Sequence, residues 1–318
     1  MNIQPAGEPA IQMPAEASTA KRPFVLALRG WVCDRYTTGG MEGASLLARA
    51  ASARLDAPLR EIGTPSPPAS LGWHECLAKA SPYLREAARH LEELMRGHCL
   101  PFIFANRCGV SLATLPAMLR WSPRTKVVWF DAHGDFNTPA STPTGYLGGM
   151  VLSAVCGLWD SGIGAGLTPD RIILAGVRDL DPGESKLIAE HGVKAVAAKD
   201  GMIDASRLIE AIGDAPVWIH VDTDVADPLY LPAEYRVDNG LRPSALHAAL
   251  RRIVNASELV GFELAEFEAP EDPKRRASAV RRIMRMIAPV LCQARHVSID
   301  QNDWNPHQNA SREAILSG

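Results

Sequence analysis

Val127-Val128-Trp129-Phe130-Asp131-Ala132-His133-Gly134-Asp135 is an apolar run that ends in a D-x-H-x-D cluster. A second segment repeats the design: Val217-Trp218-Ile219-His220-Val221-Asp222-Thr223-Asp224. Both read as buried strands that deliver carboxylates at their ends. Residues i and i+2 of a strand share a face, so Asp131, His133 and Asp135 are expected to project together, as are Asp222 and Asp224. Carboxylates crowded at two strand ends repel one another unless a cation sits among them. Oxygen-rich ligation with an imidazole suits Mn2+ or a similar divalent ion better than a thiolate-seeking metal. A single D-x-D at a strand end is common, but two clusters of this kind are a two-metal hydrolase signature.

The bulk properties exclude several classes. The chain has 318 residues, 47% of them hydrophobic, and a net charge of −3. That is enough apolar material for a large α/β core, with no basic surplus for nucleic acid and no polybasic membrane patch. No run approaches the ~18 apolar residues of a spanning helix. Residues 1–21 lack the basic-then-apolar pattern of a secretory signal and read as a flexible tail; residues 22–318 read as one domain. The six cysteines are scattered without a C-x-x-C pair, which predicts reduced thiols and a cytoplasmic location.

Along the chain, strands are expected at Pro23–Leu28, Pro101–Ala105, Val127–Phe130, Arg171–Ala175, Val217–Val221 and Leu259–Leu264. Helices are expected near Ala44–Arg54, Leu84–Met95, Ser111–Leu119, Met150–Leu158, Gly183–His191, Pro243–Val254 and Pro273–Leu291. Gly39-Gly40-Met41-Glu42-Gly43-Ala44 reads as a Gly-rich loop. Strands that are apolar on both faces and alternate with helices predict a parallel sheet covered on both sides. Ligands of such sheets gather at the carboxyl ends of the strands, where both acid clusters fall.

These segments resemble the ureohydrolase (arginase–agmatinase) family. Asp131-Ala132-His133-Gly134-Asp135 is similar to its D-A-H-x-D metal motif, and Asp222-Thr223-Asp224-Val225-Ala226-Asp227-Pro228 to its D-x-D-x-x-D-P motif. Gly261-Phe262-Glu263-Leu264-Ala265-Glu266 is similar to a later strand ending in a Glu that faces the guanidinium. The resemblance implies a three-layer α/β/α sandwich around a parallel sheet of about eight strands. It also implies two Mn2+ ions held by Asp131, His133, Asp135, Asp222 and Asp224, and a trimer or hexamer. A metal-bridging hydroxide, oriented by Asp135, would attack a guanidino carbon held by Glu266 and release urea. Asp135-Phe136-Asn137-Thr138-Pro139 and Thr142-Pro143-Thr144-Gly145 resemble a loop that holds an amino-acid carboxylate, through Asn137 and Thr144. Asp181-Pro182-Gly183-Glu184 resembles a segment facing the α-amino group, and it is equally a helix start.

Three positions depart from the family pattern. Cys108 stands where the first His ligand belongs, so the ion beside it is expected to be weaker or another divalent metal. Gly148, in Leu147-Gly148-Gly149-Met150, replaces a proton-shuttle His. A less basic, hydroxylamine-type leaving group needs no shuttle, which favours a hydroxyguanidine such as Nω-hydroxyarginine over arginine. Arg107 replaces an Asp and has no evident role. The competing readings are hydrolysis of formimino-glutamate, agmatine or another guanidino acid, and a catalytically silent relative that only binds. His220 reads as structural rather than as a further ligand, and Lys274-Arg275-Arg276 with Arg281-Arg282 as a solvated helix face.

Overall fold

The computed structural model describes residues 21–294; all of the expected tail except Lys21 lies outside them, as does the stretch after Ala294. Eight strands form one sheet in which every neighbouring pair is parallel. They are β1 (Arg22–Leu28), β2 (Leu59–Ile62), β3 (Cys99–Ala105), β4 (Lys126–Phe130), β5 (Ile172–Ala175), β6 (Lys194–Val196), β7 (Val217–Asp222) and β8 (Leu259–Ala265). Their order across the sheet is β2-β1-β3-β8-β7-β4-β5-β6.

The helices are α1 (Gly39–Leu55), α2 (Trp73–Arg96), α3 (Ser111–Leu119), α4 (Val151–Val155), α5 (Pro182–Glu190), α6 (Ala205–Ile212), α7 (Pro243–Ala256), α8 (Pro273–Met286) and α9 (Ala288–Gln293). Side-chain alternation along the strands divides the core in two. Val25, Phe102, Phe104, Val128, Phe130, Ile219 and Phe262 face one layer with α1 and α6 to α9. Leu26, Ile103, Val127, Trp129 and Trp218 face the other, with α2 to α5. The three-layer α/β/α expectation therefore holds.

Several local expectations change. Helix α1 begins inside the stretch read as a Gly-rich loop. Glycine is a poor helix former, but packing selects it here: a Cβ on Gly43 would stand 2.0 Å from the Phe267 carbonyl oxygen. Helix α2 starts at Trp73, well before Leu84, and carries Pro82 within it. Strands β2 and β6 are too short to announce themselves, and helix α6, though amphipathic, spans only about two turns. The expected single helix from Pro273 to Leu291 divides at Ile287, just before Ala288-Pro289, because proline cannot donate the helical hydrogen bond.

At the centre of the sheet, Gly261 pairs in register with Trp218. A Cβ on Gly261 would lie 2.3 Å from Trp218 Cζ3 and 3.0 Å from Pro101 Cγ. Gly261→Val should therefore overpack the middle layer and cost about 2–3 kcal/mol, or roughly 5–10 °C in melting temperature for a chain of this size. Thermal unfolding of the two proteins checks this; an unchanged melting temperature would mean that the Trp218 ring yields freely.

Candidate active site

Four adjacent central strands, in the order β3, β8, β7, β4, end in Ala105, Ala265, Asp222 and Phe130. Just beyond these ends stand Cys108, Glu266, the Asp222–Asp224 pair and the Asp131–Asp135 cluster. Alternation along a strand is not what gathers them. β4 stops at Phe130, so Asp131, His133 and Asp135 lie in the following loop, and Asp224 sits in a tight turn after β7. Asp135 and Glu266 take left-handed backbone conformations, with φ of 48° and 64°, which non-glycine residues adopt only when their surroundings hold them there.

The loops are tied to one another. Asp131 accepts from the Trp129 indole N–H (2.9 Å) and the His133 backbone N–H (2.7 Å). Asp224 Oδ1 accepts from the Ala132 N–H (3.1 Å), and Asp222 Oδ1 from the Asp224 N–H (2.7 Å). The Thr223 hydroxyl donates to the Glu266 carbonyl (2.8 Å). Arg178 braces the same wall by donating to the carbonyls of Asp224 and Val237 (2.8 Å each).

Three overlapping donor sets result: Asp131 with His133 and Asp224; Cys108 with Asp131 and Asp135; and Cys108 with Asp222 and Glu266. Within each set, one donor atom per residue lies within 4.8 Å of the others. Burial, reinforced by repulsion between the carboxylates, raises the pKa values of Asp131, Asp135 and Asp222 above the usual carboxylate range. Burial disfavours the His133 cation, yet Asp131 and Asp224 outweigh it and raise its pKa strongly; its Nδ1 lies 3.0 Å from Asp224 Oδ2. Asp135 accepts no side-chain hydrogen bond from any described residue. Buried, mutually repelling oxygens within reach of one point are the donor set a divalent cation satisfies, and the residues fit two such ions.

Cys108 belongs to two of these sets. Its Sγ lies 3.1 Å from Asp222 Oδ2 and 3.2 Å from His220 Nε2. Burial, with Asp222 and Glu266 nearby, holds the thiol protonated, so binding a metal there requires releasing that proton. His220 stacks flat on Trp129, with ring centroids 3.5 Å apart. Glu263 sits beside His220 in register and accepts from the Ser111 and Thr114 hydroxyls (2.6 and 2.7 Å). This support under Cys108 spans three strands and α3, and no local motif announces it.

Arg107, which the sequence left without a role, is a fully buried charge centre. Its guanidinium contacts Asp34 (2.9 Å), Glu266 (2.7 Å), Glu268 (2.7 Å) and Glu234. Both oxygens of Glu266 are engaged, Oε2 by Arg107 Nη1 and Oε1 by the Cys108 backbone N–H (2.9 Å). The expected guanidinium contact of Glu266 therefore falls on a carboxylate already held in place, with lone pairs remaining for a further donor.

A cavity of about 240 Å³ opens over these groups and is lined also by Asn137, Thr144, Asp181 and Glu184. Asn137 Nδ2 donates to Asp181 Oδ2 (2.9 Å), and Asn137 Oδ1 accepts from the Ser141 hydroxyl (2.9 Å). Asp181 stands at the N-cap position of α5 but makes no side-chain cap bond. Glu184 accepts from the Phe136 N–H (2.8 Å), and burial raises its pKa to about 7. Arg35, Tyr146 and Tyr235 line the cavity too, and sequence reading did not find them because they come from three separate loops.

Sequence and structure comparisons agree with this geometry. A sequence model of the Arginase family matches residues 37–289. The N(omega)-hydroxy-L-arginine amidinohydrolase of Streptomyces lavendulae is 43% identical over 267 residues, covering 84% of this chain and 96% of that protein. The arginase of Bacillus caldovelox is 26% identical over 207 residues, covering 61% of this chain and 69% of its own length. Among solved structures, Entamoeba histolytica arginase in complex with L-ornithine superposes with a TM-score of 0.74 at 21% identity, over 85% of this chain and 98% of that one. Streptomyces clavuligerus proclavaminate amidino hydrolase does so with a TM-score of 0.64 at 20% identity, over 87% and 94% of the two chains. With its fold, its strand-end acid clusters and its matched residues in agreement, this chain belongs to the arginase family.

Proposed function

We propose that the protein hydrolyses the guanidino group of an amino acid, with Nω-hydroxy-L-arginine preferred over arginine and Mn2+ as the native metal. The observation that carries the reading is the overlap of three donor sets, buried except at His133, beside one cavity. The named activity of the Streptomyces lavendulae relative supports the substrate. Two divalent ions would supply an acidified water nucleophile near neutral pH.

The chain's own residues have separate tasks. Asp131, His133, Asp222 and Asp224, with Cys108 and Asp135, would hold the ions. Asp135, whose carboxylate no other described residue engages, would orient the nucleophile and accept its proton. Glu266, clamped by Arg107, would accept guanidine N–H bonds at a fixed position. Asp181 and Glu184 would face the α-ammonium group, and Asn137 and Thr144 the carboxylate side.

Atom balance refines the products. The hydroxyl of Nω-hydroxy-L-arginine sits on a terminal guanidine nitrogen. Water added at the central carbon, followed by cleavage of the bond to the chain nitrogen, yields L-ornithine and N-hydroxyurea; arginine yields L-ornithine and urea. The departing amine is thus the same in both reactions, and the leaving-group argument from Gly148 does not separate them. What separates them is the electron-withdrawing oxygen, which lowers the guanidine's basicity and draws electron density from the carbon under attack. The cysteines, all of them free, suit a cytoplasmic location, and no helix among the described residues is long and apolar enough to cross a membrane.

The test is L-ornithine release by Mn2+-loaded protein. The expected kcat/KM for Nω-hydroxy-L-arginine exceeds that for arginine by tenfold or more, and a preference for arginine would overturn the substrate assignment. A second measurement addresses the metal. Asparagine tolerates the left-handed backbone of Asp135 and removes a repelled buried charge. Asp135→Asn should melt at or above the wild-type temperature without metal, and lose at least half of the stabilisation that Mn2+ confers. An equal Mn2+-induced shift in both proteins would exclude Asp135 as a ligand.

A further inference from the structure

One cation in the cavity wall has no anion. Arg35 lines the cavity, yet forms no salt bridge with a carboxylate among the described residues. Its Nη2 reaches only the carbonyl oxygens of Leu71 and Gly145, at 3.5 and 3.4 Å. Its Nε is buried without any hydrogen-bond partner. The other arginine beside the site, Arg107, is surrounded by four carboxylates. A guanidinium with donors to spare, in a cavity whose other charged groups are carboxylates and His133, is arranged for an anion that arrives with a ligand.

The reason Arg35 stands there begins at Gly148. A Cβ at that position would lie 2.3 Å from Tyr146 Cε1 and 2.8 Å from Tyr146 Cζ. The bare glycine therefore admits the Tyr146 ring into space that any side chain at 148 would contest. The Arg35 guanidinium rests over that ring, 4.7 Å from its centroid, a cation–π contact that sets the direction of its fork. Gly145, whose carbonyl Arg35 approaches, follows Thr144, which also lines the cavity. The same cavity is lined by the acidic Asp181 and Glu184.

We propose that Arg35, seated on the Tyr146 ring that Gly148 makes room for, joins Asn137 and Thr144 as the charged contact that recognises the α-carboxylate of the substrate. It is a specificity-determining contact, and it separates guanidino amino acids from their decarboxylated amines. The proposal rests on the amino-acid reading of the site. A planar guanidinium can grip a carboxylate through two parallel N–H bonds, whereas an amine lacking that group leaves the donors empty.

Calorimetric titration of the full-length, Mn2+-loaded protein tests this without turnover, using L-ornithine and 1,4-diaminobutane as probes. The wild type is expected to bind L-ornithine at least tenfold more tightly. Arg35→Gln should reduce that preference to threefold or less, and Tyr146→Leu should reduce it by threefold or more while leaving Arg35 in the chain. A wild type that binds the two probes alike, or a preference that survives both substitutions, overturns the proposal. So does equal weakening of both probes, which is what loss of a purely structural arginine would produce. Because no chemistry is involved, a failure of ornithine release in the activity assay remains distinguishable from a failure here.

Discussion

Like charges buried at the ends of four neighbouring strands are the constraint on which the rest of this structure depends. Asp131, Asp135, Asp222, Asp224 and Glu266 are all buried, and a low-dielectric site penalises each of them separately and together. On the β3 side the protein supplies its own counter-charge, Arg107, shared among Asp34, Glu234, Glu266 and Glu268. On the β4 side, among the described residues, the cation in salt-bridge contact with these carboxylates is the partly exposed His133. The charge left over is what divalent ions would offset. The division explains why Glu266 is clamped whereas Asp135 is free.

Sheet order makes this concentration possible. β8 inserts between β3 and β7, so Glu266 comes to lie beside Cys108 although 158 positions separate them in the chain. The parallel register then stacks Trp129, His220 and Glu263 side by side beneath the site. Ser111 and Thr114 satisfy the buried Glu263 carboxylate from α3. The sulfur of Cys108 thus rests against His220 in a layer whose polar groups are matched.

The departures from the family pattern form two groups in space. Cys108 and Arg107 belong to the charge-bearing floor, where a neutral thiol adds no further negative charge until a metal displaces its proton. Gly148 belongs to the wall, where it gives space to Tyr146 and through that ring places Arg35. A missing side chain in the sequence is thus a filled volume in the fold, occupied by an aromatic ring from two residues away.

Much of this was legible in the residues themselves. Apolar runs ending in D-x-H-x-D and D-x-D identified the site strands, because a buried strand can end in clustered acids only where a cation or a function offsets their repulsion. Alternation of strands and helices determined the fold class, and Asp131, His133, Asp135, Asp222, Asp224, Cys108 and Glu266 lie in overlapping clusters at the strand ends. The helix through Gly39-Gly40 was hidden, since its glycines answer to Phe267 and Glu268, residues far along the chain. The weak strands β2 and β6 were hidden because edge strands need little apolar sequence. Arg107 and Arg35 look alike in the sequence, each an arginine in a loop after a strand. Only the tertiary structure decided that one is surrounded by four carboxylates and the other, among the described residues, by none, because the neighbours that determine a buried charge's role come from the loops after β1 and β8 and around Glu234, which chain spacing does not encode.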